Sequence, residues 1–161
     1  MFDLTPTAAE KPALYRDLLA AIDAVMANES DPVANMANAA ALLFEWLPDV
    51  NWVGFYRLID GELVLGPFQG KVACIRIAIG QGVCGTAAAA RVTQVVEDVD
   101  AFPGHIPCDA ASRSEIVVPL IVDRALVGVL DIDSPTPSRF DDGDKRGCEA
   151  IAALLSPRIC P

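Results

Sequence analysis

The stretch SEIVVPLIV-DR-ALVGVLDID, from Ser114 to Asp133, constrains the fold more than any other part of the chain. Two apolar, Val/Ile/Leu-rich runs flank Asp123-Arg124, which is the pattern of a β-hairpin. Neither "IVVPLIV" nor "ALVGVL" is long enough to span a bilayer, so these runs predict sheet and not membrane. An earlier pair of runs, NWVGFYRLI and ELVLGPF, is joined at Asp60-Gly61, a dipeptide suited to a tight two-residue turn.

Helical patterns surround these hairpins. Lys11 to Ala27 carries Leu14, Leu18, Ile22 and Val25 at helical spacing, with Pro12 in the first turn. Asp31 stands as a cap before Pro32, and Pro48 closes the segment it begins. CIRIAIG reads as extended, GQGVCGTAAAARV as a short helix entered through glycines, and TQVVEDV as a short strand. Ala101 to Ser112 reads as loop, and FDDGDKRGCEAIAALLSPRI as a closing helix whose acidic first turn suits its dipole. The order predicts an α+β fold: a central antiparallel sheet with N- and C-terminal helices packed on one face.

At 161 residues, 53% of them apolar, the chain is expected to form one domain over 1–161 with a solid core. Its first ~10 residues are expected to be flexible. Acidic residues outnumber basic ones 22 to 12, and no basic cluster offsets this, which argues against nucleic acid as a partner. Met1 to Ala20 shows no basic start followed by an apolar segment, so the expectation is a cytoplasmic protein with no membrane partner.

The cysteines stand at 74, 84, 108, 148 and 160. Their odd number and wide spacing do not suit a secreted disulfide scaffold. No Cys-x-x-Cys knuckle is present and His105 is the only histidine, so no metal site is expected. Cys148 and Cys160 read as small hydrophobes on or beyond the last helix. Cys108 sits in a Pro/Gly-rich polar loop suited to an accessible thiol, and Cys84 near a helix start, where exposed N–H groups stabilise a thiolate. Position alone leaves open which of the two attacks. His105, three positions before Cys108, reads as a loop residue and not as a base.

Glu115 opens one strand of the second hairpin, and Asp131 and Asp133 end the other on one face. If the strands pair, the three carboxylates crowd together, and repulsion raises at least one pKa toward neutrality. The alternative is that the aspartates merely finish the strand in solvent. Trp52 and Tyr56 share a strand face across Gly54, either as core or as the wall of a small pocket.

Taken together, NWVGFY, LGPFQGKVACIRIAIGQGVCGTAAA, VEDVDAFPGHIPCDAASRSEIVVPL and GVLDIDSP followed by RFDD resemble the free methionine-R-sulfoxide reductases, which are built on a GAF domain. The resemblance runs from about Ala13 to Leu155 in consistent order. It implies that Cys108 is the nucleophile, Cys74 the resolving cysteine and Cys84 an alternative one. It places Glu115, Asp131 and Asp133 at the substrate ammonium and sulfoxide oxygen, and Trp52 and Tyr56 around the methyl group. Pro107 departs from the small residue typical before the nucleophile. The implied activity is thiol-dependent reduction of free L-methionine-(R)-S-oxide through a sulfenic acid and a disulfide, recycled by thioredoxin. The resemblance further implies a homodimer without metal or organic cofactor. A regulatory ligand-binding GAF domain and a thiol redox sensor are the rival readings; an acidic pocket hostile to phosphate opposes the first.

Overall fold

The computed structural model describes residues 10–104 and 110–160. Along the chain come α1 (Lys11–Met26), α2 (Pro32–Trp46), β1 (Trp52–Ile59), β2 (Glu62–Gly70), β3 (Arg76–Ala78), α3 (Gly82–Ala90), β4 (Gln94–Val96), β5 (Ser114–Val122), β6 (Ala125–Ser134) and α4 (Asp142–Ile159). The strands form one antiparallel sheet in the order β3-β2-β1-β6-β5-β4, so the two hairpins lie side by side through β1 and β6.

Local chemistry sets the element ends. Asp60 and Gly61 both take positive φ (51° and 84°), as do Asp123 and Arg124 (48° and 68°), which lets each turn follow the twist of its strands. The Asp31 side chain accepts a hydrogen bond from the Ala34 amide at 2.8 Å, capping α2 as its position ahead of Pro32 predicts. Asp141 and Asp144 close a reciprocal capping box at the start of α4. CIRIAIG is less extended than its alternation predicts. Only Arg76–Ala78 pair, at the sheet edge against Glu62–Val64.

The sheet separates two cores. On one face, Leu14, Leu18 and Ile22 of α1 pack with α2, α4 and the inward residues Val53, Phe55, Ile116 and Ile132. This is the helical layer the sequence predicts. The other face carries a smaller core in which Val83, Cys84, Ala87 and Ala88 of α3 meet Trp52, Tyr56, Val117 and Val129. The acidic strand ends lie on this second face, beneath α3. The expected flexible leader and the loop positions 105–109 fall outside the described residues.

Candidate active site

The aromatic wall begins with a missing side chain. A Cβ at Gly54 would collide with the Trp52 ring and the Phe68 Cβ, so glycine lets the indole lie across the strand. Trp52 stacks between Phe68, with ring centroids 5.4 Å apart, and Tyr56, at 6.0 Å. Phe68 has no obvious place in a sequence reading. Counting back from the Asp60-Gly61 turn would set Gly54 against Pro67, but an irregularity between Gly54 and Tyr56 shifts the register and brings Phe68 opposite.

Both polar atoms of the wall face one segment. The Trp52 indole N–H donates to the Lys71 carbonyl at 3.0 Å, and the Tyr56 hydroxyl to the Cys74 carbonyl at 3.0 Å. Trp52 and Tyr56 thus hold the β2–β3 connection that carries Cys74. Cys74 is disulfide-bonded, whereas Cys84, Cys148 and Cys160 are free thiols. The positions of Cys108 and His105 lie outside the described residues.

The hairpin register assembles the acid cluster. Glu115 of β5 pairs with Asp133 of β6, Val117 with Asp131, and on the far side of β6 Trp52 and Gly54 pair with Asp133 and Asp131. Directly opposed residues share a sheet face, so the three carboxylates and the aromatic wall line one pocket. Glu115 and Asp131 are buried, at 7% and 6% exposure, so the reading in which the aspartates simply end a strand in solvent fails for Asp131. Asp131 Oδ1 is buried with no hydrogen-bond partner among the described residues. No Lys or Arg is among the described residues that line the pocket. Gln81 and Ser112, which no sequence motif singles out, complete its polar rim.

Burial dominates the electrostatics. Glu115 titrates well above the usual carboxylate range, first from loss of water and then from the charges of Asp131 and Asp133. Burial also raises Asp131, although hydrogen bonding with Cys84 and Glu115 pulls the other way. A carboxyl group protonated near neutral pH is therefore available as a donor inside the pocket. Cys84 corrects one expectation. Although it stands in the first turn of α3, its thiol is buried and pointed at Glu115 Oε1, 3.9 Å away. Burial, then the Asp131 and Glu115 charges, push its pKa up, so the protonated thiol is favoured and not the thiolate a helix start would give.

Residues 17–159 match the GAF domain family. The chain is 55% identical to Protein YtsP of Bacillus subtilis, over 99% of each chain. It is 54% identical to the free methionine-R-sulfoxide reductase of Escherichia coli, over 90% of this chain and 88% of that one. Among solved structures, the free methionine-R-sulfoxide reductase of Neisseria meningitidis in complex with its substrate superposes with a TM-score of 0.95 at 50% identity, covering 99% of this chain and 96% of that one. On these similarities the chain belongs to the GAF domain family and, within it, to the free methionine-R-sulfoxide reductases.

Proposed function

We propose that this protein reduces free L-methionine-(R)-S-oxide to L-methionine with thiols as the electron source. The observation that carries the reading is the cluster of buried Glu115 and Asp131 with half-buried Asp133, with no Lys or Arg among its described lining, facing an aromatic wall beside a disulfide-bonded Cys74. An α-ammonium group, which peptide-bound methionine lacks, brings a positive charge to the buried Glu115 and Asp131. Trp52 and Tyr56 offer the apolar surface a sulfoxide methyl group needs.

In the proposed reaction the Cys108 thiolate attacks the sulfoxide sulfur while a protonated carboxyl of the cluster donates to the oxygen. Methionine leaves and the oxygen stays on Cys108 as a sulfenic acid. A second thiol displaces it as water, forming a disulfide. Cys74 is the favoured resolving thiol: it is oxidised, while Cys84 is a free thiol kept protonated by burial. A thioredoxin dithiol then takes the disulfide by exchange. Val72 and Ile75, 87% and 71% exposed on either side of Cys74, offer that reductant an apolar surface. The reading requires neither metal nor organic cofactor and includes a cytoplasmic homodimer.

The test is an assay of purified protein with thioredoxin recycling, using the R and S epimers of free methionine sulfoxide separately. Methionine should form from the R epimer alone. No product from that epimer would overturn the reading. Full turnover by Cys108→Ser would overturn the nucleophile assignment, and a Cys84–Cys108 bridge as the only oxidised product would count against Cys74.

A further inference from the structure

We infer that Cys84, Glu115 and Asp131 form a binding site for a single zinc-class divalent cation. The three come from three elements, α3, β5 and β6, and one ligand atom of each lies within 4.8 Å of the others. All three residues are buried. With metal–sulfur and metal–oxygen bonds of ~2.3 and ~2.1 Å, tetrahedral ligation needs S···O separations of ~3.6 Å. Cys84 Sγ and Glu115 Oε1, 3.9 Å apart, already stand close to that.

A second observation points to a ligand independently of the spacing. Asp131 Oδ1 is buried in this pocket without a hydrogen-bond partner among the described residues. A buried carboxylate oxygen left this way is costly, and a coordinated cation satisfies it. The carboxylates sit on paired strands, so their separation is held by the sheet and not by loops. The donor set decides the ion. Two carboxylates alone would suit magnesium or calcium, whereas a thiolate beside them selects a borderline or soft cation such as zinc or cadmium. Cation binding takes the proton from Cys84, giving the thiolate that burial otherwise disfavours. Among the described residues the site has three protein ligands, which leaves a fourth position for water, as in zinc sites that stay open to ligands.

The sequence gives no hint of this, since no zinc motif spaces ligands as Cys84, Glu115 and Asp131 are spaced. The inference rests on the pocket's geometry; because Glu115 and Asp131 also serve the proposed reductase reaction, the cation and the substrate ammonium compete for the same carboxylates.

The test is a cadmium titration of the full chain with its disulfide intact, followed by the ultraviolet thiolate-to-cadmium charge-transfer band. One cadmium ion per chain should bind and excess magnesium should not displace it. Cys84→Ser should abolish the band, and Cys160→Ser, at an exposed free thiol, should leave it intact. Asp131→Asn and Glu115→Gln, which keep side-chain shape while removing buried charge, should each weaken binding at least tenfold. The proposal is overturned if no band appears or if the band survives Cys84→Ser. It is equally overturned if the band depends on Cys160, or if both amide variants bind cadmium as tightly as the native chain.

Discussion

Two buried acidic clusters sit on opposite sides of the sheet, and they are solved in opposite ways. At the start of α4 the Asp144 side chain is 1% exposed, yet it meets Lys11 at 2.7 Å, Arg139 at 3.1 Å, the Tyr15 hydroxyl at 2.9 Å and the Asp141 amide at 2.9 Å. Every oxygen is answered by a donor, and the cluster ties α1 to α4. Gly147 contributes by letting the Tyr15 ring lie against the helix backbone, where any Cβ would collide with it. Across the sheet, Glu115 and Asp131 are also buried, with no Lys or Arg among the described residues of their pocket. A charge that is paired inside the chain holds the fold. One left unpaired raises its pKa or waits for a cation from outside.

That contrast yields predictions in descending size. Glu115→Gln or Asp131→Asn should lower kcat/KM for the proposed reaction by roughly 10²–10⁴ through loss of the proton donor and the ammonium contact. Thermal unfolding of either variant should be unchanged or moved upward, because buried repulsion is relieved. A fall of several degrees in Tm with activity intact would break the comparison. Asp144→Ala should do the reverse. It strands the buried Arg139 and should cost about 3 kcal/mol in urea unfolding, with kcat/KM preserved while the protein stays folded. Tyr56→Phe sharpens the border between the two kinds of residue. Losing its hydrogen bond to the Cys74 carbonyl should cost about 1 kcal/mol of stability and slow formation of the Cys74 disulfide, read by mass spectrometry of quenched samples.

The smallest effect is a pair of opposite pH slopes. Asp141 is held below the usual carboxylate range, first by its hydrogen bond with Lys11, so its stabilisation is present above the unfolded pKa and lost as pH falls. Glu115 and Asp131 are raised, so the folded state binds more protons than the unfolded one above the unfolded pKa. Their contribution therefore declines as pH rises through the raised values. Tm measured against pH should lose part of its acid limb in Asp141→Asn and part of its neutral-to-alkaline decline in Asp131→Asn. Identical profiles in both variants would remove the distinction.

Much of this is legible in the sequence itself. Val/Ile/Leu-rich runs around Asp60-Gly61 and Asp123-Arg124 specify two hairpins because turn geometry and period-2 alternation are local properties. The hairpin brings the acidic strand ends together, but counting from its turn would set Glu115 opposite Ile132; an irregularity between Leu120 and Ile121 shifts the register and makes Asp133 its partner, with Asp131 on the same face. Asp31 and the acidic start of α4 mark helix ends for equally local reasons. Tertiary structure alone decided the environment of each group. Cys84 looked like an activated thiol because a helix start lowers a thiol pKa, but α3 packs that turn onto two carboxylates and reverses the shift. Phe68 joins the aromatic wall only because a register shift in β2 brings it opposite Gly54. Lys11 and Tyr15 find Asp144 only when α1 docks on α4. Which residues share a strand face follows from backbone periodicity, whereas burial and charge pairing depend on contacts between segments far apart in the chain, and these no local pattern encodes.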